Sequence, residues 1–174
     1  EAYSGVRPKG WLGPGYGESL NTPDILKKQG FEYIHDWMFY DAPCWMRTKH
    51  GPLIALPYAL DMNDVMTFAL DRNTAEEYYT RFKAAVDYFG SEPGSPPRIM
   101  TMGLHPHIIG VPYRLDMFAR TLDMLMARDD TIFVTGSQMA DWFRDQDPHG
   151  KRKPACAHCP STFTSAARSP EATR

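Results

Sequence analysis

The most informative stretch of the sequence is GLHPHIIG, residues 103–110. Its histidines, His105 and His107, stand on either side of a proline and follow a segment with the composition of a β-strand. An imidazole at the end of a strand is suited to acid or base catalysis near neutral pH, or to metal binding. A lone histidine would more often be a solvated or capping residue, but a pair in one loop favours a functional site. A metal site needs three or four ligands, and the chain has no His-x-x-x-His or His-Glu-x-x-His motif, so no metal centre is assigned here.

Asp36 is the second candidate, because it ends the strand-like segment FEYIHDW together with Trp37. A carboxylate at the carboxyl end of a strand, beside a large aromatic side chain, can orient a histidine or bind a substrate. An equally weighted alternative is a loop aspartate that caps a turn, with the tryptophan in the core. Asp41 lies in the next loop and is a further candidate carboxylate.

Two other stretches carry residues that could contact a substrate. Residues 56–64, LPYALDMND, place Asp64 and other polar side chains after a predicted strand, although a capped loop before a helix would use at least one of them. Residues 7–19, RPKGWLGPGYGES, place Arg7 beside a glycine-rich loop. An arginine there can hold a carboxylate through two hydrogen bonds, but a solvated surface loop is the more common role of such a sequence.

Strand-like and helix-like segments alternate around these candidates. The strand-like segments are short, rich in β-branched or aromatic residues and bounded by Gly, Pro or Asp: 31–37, 53–58, 98–104 and 131–134. The predicted helices occupy 22–30, 73–90, 114–130 and 138–144, and Thr74 and Glu77 have the spacing of a capping box. This alternation predicts a parallel α/β arrangement, in which functional residues gather at the carboxyl ends of the strands.

Composition limits the classes of function. The chain has 174 residues, 43% hydrophobic residues and a formal net charge of −2, as expected for one globular domain. The small net charge gives no reason to expect nucleic acid or a membrane surface as a partner, and no apolar run approaches the ~20 residues of a membrane span. Three cysteines are too few for a disulfide framework. With no signal peptide in this sequence, they favour a cytoplasmic location.

The composition changes at Asp147. Residues 147–174 carry five basic and two acidic residues and no hydrophobic period, which predicts a disordered tail after a folded body of residues 1–146. Cys156 and Cys159 in this tail have the spacing of half a zinc ribbon. Without a second half, an incidental pair is the favoured interpretation.

In their order along the chain, these motifs resemble the polysaccharide deacetylase (NodB-homology) family. The matching pieces are Arg-Pro-x-Gly-Trp at 7–11, Thr-Pro-x-x-Leu at 22–26, Asp-Trp at 36–37 and Leu-His-Pro-His at 104–107. They look most like the branch that holds cofactor-independent allantoinases. The resemblance covers about residues 5–145. It implies an α/β fold that is the C-terminal half of a distorted (β/α)7 barrel.

The resemblance also implies a function and a set of roles. The function is hydrolysis of a non-peptide carbon–nitrogen bond, in an N-acetyl sugar or a cyclic ureide. His105 would act as the acid on the leaving nitrogen, and Arg7 would orient the base. Asp36 would tune the histidine, although the spacing departs from the family pattern and leaves Asp41 as the alternative. The side chains expected to contact a small-molecule or glycan substrate are those of Trp11, Trp37, Asp41, Asp64, Leu104 and His107.

The same resemblance points to residues that this sequence does not contain. Typical members bind a divalent, zinc-like metal through an upstream aspartate and a His-x-x-x-His pair, and use a second upstream aspartate as base. This sequence would therefore hold the downstream half of the site and no metal ligands. The alternative is a catalytically incomplete fragment that acts only as an association module, because half a barrel leaves edge strands unpaired and favours homo-oligomers.

Overall fold

The computed structural model describes residues 3–92 and 96–148. The strands are β1 (Gly10–Trp11), β2 (Tyr33–Ile34), β3 (Cys44–Thr48) and β4 (Gly51–Ala55). The α-helices are α1 (Thr22–Lys28), α2 (Ala75–Ser91), α3 (Pro106–Ile109), α4 (Pro112–Met126) and α5 (Gly136–Gln146). Short 3₁₀ turns occupy Pro14–Tyr16 and Leu60–Met62, and a π-helix occupies Val65–Leu70.

The strands form a sheet in the order β1-β2-β4-β3. β1, β2 and β4 are parallel, and β3 is joined antiparallel to β4 by a tight turn. The carboxyl ends of the three parallel strands therefore share one edge, from which the loops starting at residues 12, 35 and 56 emerge. The predicted parallel α/β arrangement is confirmed.

Helices cover both faces of this sheet. Successive β4 side chains point to opposite faces, so Leu53 and Ala55 pack with Leu26 of α1, whereas Ile54 packs with Ala140 of α5. A separate apolar cluster joins the π-helix, α2, α3 and α4; its buried members are Met62, Phe68, Tyr78, Phe82, Ile109 and Met117. These clusters fix the positions of the loops that bear the polar residues.

Two predicted strands do not form in the part of the chain that the structure describes. Residues 98–104 make a single parallel bridge, between Gly103 and Asn63, and residues 131–134 are outside any strand. Ile132 and Phe133 are exposed, at 81% and 57%. Apolar β-branched composition favours a strand only where a neighbouring strand accepts its hydrogen bonds. Among the described residues, 98–104 has only the single bridge to Asn63, and 131–134 has no strand beside it. β3, by contrast, is not predicted, because CWMRT lacks a clear alternation of apolar and polar residues.

The helix predictions agree better with the structure, because they rest on local contacts. Thr74 and Glu77 form the predicted capping box: the Glu77 backbone N–H donates to Thr74 Oγ1 at 3.2 Å, and the Thr74 N–H donates to Glu77 Oε2 at 2.6 Å. Thr135 and Gln138 form a second box at the start of α5. Among the described residues no helix is long and apolar enough to span a membrane. The predicted tail lies outside the described residues from position 149 onward.

Removing the first capping box should destabilise the fold. Thr74→Ala deletes the acceptor for the Glu77 N–H and is expected to lower the free energy of unfolding by about 1 kcal/mol. Denaturant unfolding followed by circular dichroism measures the loss. Thr80→Ala, in the middle of α2, is the matched control and should leave stability unchanged within about 0.5 kcal/mol. An equal loss in both variants would contradict the capping role.

Candidate active site

A buried carboxylate holds one of the two histidines of the 103–110 loop. Asp64 is fully buried, and its Oδ1 lies 2.6 Å from His105 Nδ1. Its Oδ2 accepts the His105 backbone N–H at 2.7 Å. The side chain of His105 remains 41% exposed. With Nδ1–H donating to Asp64, the imidazole has one tautomer and one orientation, and Nε2 is left on the far side of the ring to exchange a proton with a ligand.

Backbone pairing brings these two residues together. Asn63 and Gly103 form the isolated parallel bridge, in which the Asp64 N–H donates to Gly103 O at 2.9 Å. His105 then precedes the first turn of α3, which Pro106 starts. A π-helix follows Asp64 directly, and its first N–H, on Val65, donates to Asn63 Oδ1 at 2.8 Å. Such helices are frequent at functional sites.

Two tyrosine hydroxyls contact Asn63, the residue that precedes Asp64. Asn63 Nδ2 donates to the hydroxyl oxygen of Tyr16 at 3.1 Å and to that of Tyr58 at 3.4 Å. The two rings meet edge to face with centroids 5.1 Å apart. Burial, followed by a hydrogen bond with Tyr58, raises the pKa of Tyr16, so this phenol keeps its proton at neutral pH. The cluster can therefore offer hydroxyl protons to a carbonyl oxygen.

Gly103 makes the room that this cluster needs. A Cβ at Gly103 would lie 2.4 Å from the Tyr58 hydroxyl oxygen and 2.6 Å from Asn63 Nδ2. Both atoms belong to hydrogen-bonded side chains and cannot move away without breaking those bonds. Glycine is therefore required at position 103, because the Tyr58 and Asn63 side chains lie too close to leave room for a Cβ.

Gly103→Ala should accordingly displace Tyr58 and Asn63 and shift the bridge that carries Asp64 and His105. In the chain completed at its N-terminus, we expect the hydrolysis that the family resemblance implies to fall about 100-fold, because displacements near 1 Å have effects of that size. The free energy of unfolding should fall by about 1–3 kcal/mol from overpacking. Steady-state kinetics and chemical unfolding measure the two effects. Unchanged activity would show that the tyrosine cluster has no part in the site.

The other predicted aspartate, Asp36, makes different contacts. Both of its carboxylate oxygens accept the Gly13 backbone N–H, at 2.7 and 2.9 Å. This bond joins the loop after β1 to the end of β2. Trp37 Nε1 donates to Glu18 Oε2 at 2.5 Å, and Glu18 lies within hydrogen-bonding reach of Asp36. The carboxylate on His105 is thus Asp64; the structure brings neither Asp36 nor Asp41 to that ring.

Arg7 lies at the wrong edge of the sheet for the predicted role. Its guanidinium donates to the carbonyl of Gln29, at the C-terminus of α1. Arg7 precedes β1 and Gln29 precedes β2, so both lie at the amino ends of the parallel strands. The orientation of a catalytic base by Arg7 is not supported by these contacts.

The remaining predicted residues have mixed positions. Leu104 and His107 flank His105 and are exposed, with the two histidine rings 5.8 Å apart. Asp41 and Tyr58 line the same open pocket of about 350 Å³. Trp11 is half-buried and packs edge to face on Phe31, in the cluster beneath the sheet.

No group of three or more His, Cys, Asp or Glu side chains in residues 3–92 and 96–148 is arranged to hold a metal ion. The oxygen ligands held against His105 come from one carboxylate, Asp64, which is already used by two N–H groups. This set does not fit a divalent metal, which needs three or more ligands.

Sequence reasoning placed Asn63 among the polar residues after a strand that could contact a substrate, but it missed Tyr16, Glu18 and Tyr58. Their positions offered some signal, since each lies in a loop that follows the carboxyl end of a parallel strand. The decisive features are conformational, however. Gly15 and Tyr16 have positive φ angles of 60° and 58°, which turn the Tyr16 side chain toward Asn63.

Comparisons with known proteins agree with this fold. No family model matches the chain. A curated Schizosaccharomyces pombe protein assigned to the polysaccharide deacetylases is 26% identical, over 75% of this chain and 46% of its own length. The crystal structure of Puue allantoinase superposes with a TM-score of 0.77 at 27% identity, covering 85% of this chain and 50% of that one.

A second crystal structure, of a Pseudomonas aeruginosa protein assigned as a polysaccharide deacetylase, gives a TM-score of 0.75 at 28% identity. It covers 84% of this chain and 50% of that one. The chain therefore spans about half the length of the relatives it matches, and it shares the NodB-like fold with them over that half.

Proposed function

We propose that this chain, whose sequence and fold are those of a polysaccharide deacetylase-like hydrolase, carries the downstream half of a site that hydrolyses non-peptide carbon–nitrogen bonds. The observation that carries the proposal is His105, held through Nδ1 by the buried carboxylate of Asp64 while 41% of its side chain stays exposed. This arrangement suits a general acid.

In this proposal His105 acts at the leaving nitrogen. Water adds to the carbonyl carbon, and the carbon–nitrogen bond then breaks as Nε2–H of His105 gives its proton to the departing nitrogen. Asp64 keeps the ring oriented and balances the charge on the protonated ring. The base that takes the proton of the attacking water would come from residues that this chain does not supply.

The neighbouring side chains would bind the substrate. In this proposal the Tyr16 and Tyr58 hydroxyls, whose oxygens both accept from Asn63 Nδ2, would donate to the carbonyl oxygen as it gains negative charge. Leu104 and Trp37 would line the pocket for the acyl group or ring, and His107 and Asp41 would contact its polar edges. The substrate would be a small molecule or a glycan: an N-acetyl sugar or a cyclic ureide. A divalent metal would belong to the complete protein, and no step here depends on one.

An activity assay with product identification tests the proposal. The chain, completed at its N-terminus by the upstream half of the site, is incubated with chitin oligomers or with allantoin, and acetate release or ring opening is measured. Hydrolysis that is lost in His105→Ala is the expected result, and the substrate that reacts identifies the class. Hydrolysis that persists at the wild-type rate in His105→Ala would reject the role of His105.

The alternative function, an association module, has an observation of its own. Ile132, Phe133 and Val134 form an exposed apolar segment without a strand partner among the described residues. Such a segment can pair with another copy of the chain. If the segment pairs in this way, light scattering should show a dimer for the wild-type chain and a monomer for Ile132→Lys. A monodisperse monomer would exclude this alternative.

A further inference from the structure

Glu18 has one carboxyl oxygen that its hydrogen bonds do not account for. Its Oε2 accepts the Trp37 indole N–H at 2.5 Å. Its Oε1 is shielded from solvent, and no donor among the described residues reaches it. Asp36 is the polar group within reach of this side chain. A shielded carboxyl oxygen beside a second carboxyl group indicates a proton shared between the two.

The hydrogen bonds of the two carboxyl groups also indicate which of them carries the proton. Both oxygens of Asp36 accept the Gly13 N–H, so this carboxyl group is held as an acceptor. Glu18 receives one N–H, and burial and then the bond to Asp36 raise its pKa to about 7. The proton therefore belongs to Glu18, whose Oε1–H donates to Asp36. If both carboxyl groups were charged, they would repel each other across this contact.

The contact between Glu18 and Asp36 ties the loop that carries Tyr16 to the end of β2. Residues 12–20 connect β1 to α1 and contain the Gly15–Tyr16 pair with left-handed backbone. A non-glycine residue at positive φ persists only where its surroundings hold it. Tyr16 is held by Asn63, and the loop on either side is held by the Gly13–Asp36 and Glu18–Trp37 bonds.

We propose that protonated Glu18 is a positioning residue: it donates its carboxyl proton to Asp36 and so holds the 12–20 loop closed, with the Tyr16 hydroxyl on Asn63. Loss of that proton puts two negative charges in contact and releases the loop. The meaning of this closure for catalysis rests on the proposed function, but the closure itself can be measured without any substrate.

The groups that face Glu18 differ in the pH range over which they change charge. Asp36 and Trp37 face it from the end of β2. Tyr16 faces Asp36 from the loop, and burial raises its pKa and keeps its phenol protonated. Burial lowers the pKa of His35, whose ring is therefore neutral at pH 7. Glu18 is thus the group of this set that changes charge near neutral pH.

The direction of the effect follows from the raised pKa. Between the ordinary value of 4.5 and about 7, the folded chain keeps a proton that the unfolded chain has released. Stability therefore falls as pH rises through this window and stops falling above about pH 7. Glu18→Gln keeps a donor toward Asp36 and carries no charge, so this part of the pH dependence should disappear.

Carboxyl NMR on protein labelled with ¹³C-glutamate tests the shared proton. The Glu18 resonance is the one missing in Glu18→Gln, and it should titrate near pH 7. In Asp36→Asn it should titrate at least about one pH unit lower, because the neighbouring charge is gone. Titration near pH 4.5 in the wild-type chain, or no downward change in Asp36→Asn, would overturn the proposal.

Amide hydrogen exchange at Gly13, Tyr16 and Gly17 tests the closure, after correction for the intrinsic pH dependence of exchange. Wild-type protection should fall at least about tenfold between pH 6 and pH 8, whereas Glu18→Gln should stay protected at both. Glu76→Gln, at an exposed position on α2, is the matched control and should behave as wild type. Equal pH dependence in the wild-type chain and Glu18→Gln would overturn the role of Glu18.

Discussion

His105→Gln is expected to lower kcat/KM for carbon–nitrogen hydrolysis by about 10²- to 10⁴-fold, the usual contribution of a positioned general acid. Glutamine can still form a hydrogen bond with Asp64, so the loop should keep its fold. It has no proton to give to a leaving nitrogen, so the loss should appear in kcat. Product formation measured under single-turnover conditions separates the proton-transfer step from substrate binding.

Two other histidines provide the comparison. His107 is exposed, and its ring lies 5.8 Å from that of His105. As a substrate-contacting residue it should affect KM, so His107→Gln is expected to cost no more than about tenfold. His50→Gln, in the turn between β3 and β4, should have no effect. A larger loss at His107 than at His105 would show that the roles of the two histidines are reversed.

The sequence can locate His105 but not its carboxylate. A His-Pro-His step after a strand-like segment is a local pattern, and it predicts the loop that carries the acid. The carboxylate is 41 residues away, and the contact exists because Asn63 pairs with Gly103 in one parallel bridge. No hydrophobic period encodes that register, so sequence reasoning favours Asp36, the aspartate nearest to a family motif, over Asp64.

The same distinction between local and long-range contacts accounts for the fold predictions. The α2 helix is predicted from Thr74 and Glu77, which meet across one helical turn, and the capping box is present. The strands are predicted less well, because their extent depends on neighbours far along the chain. Residues 31–37 reduce to Tyr33–Ile34, and residues 98–104 keep one bridge.

Strand boundaries also decide which loop residues can reach the site. The family resemblance implies Arg7 as a site residue, because it stands in the matching Arg-Pro-x-Gly-Trp motif. Since β1 begins only at Gly10, Arg7 lies before the strand, at the opposite edge of the sheet from His105. Tyr16, in the second half of the same loop, lies after the strand and contacts Asn63. The position of β1 therefore decides that Tyr16, and not Arg7, lies at the edge of the sheet that carries the candidate site.

Asp64→Asn is expected to reduce kcat by about 10³- to 10⁴-fold while leaving the fold intact, because the same change in a Ser-His-Asp triad costs about 10⁴-fold. Asp64 now accepts two N–H groups, one on each oxygen. Asparagine offers one oxygen and one NH₂ group. If its oxygen keeps the His105 backbone N–H, the NH₂ faces Nδ1 and excludes the doubly protonated ring that a general acid must use.

Stability distinguishes this effect from unfolding. A mismatched donor at a fully buried position should lower the free energy of unfolding by about 1–3 kcal/mol, which a domain of ordinary stability survives. Asp123→Asn is the matched control, since Asp123 is exposed on α4 and lies outside the proposed site, and it should leave both rate and stability unchanged. Wild-type activity in Asp64→Asn would mean that His105 works without an oriented proton, and it would remove the observation on which the proposed function depends.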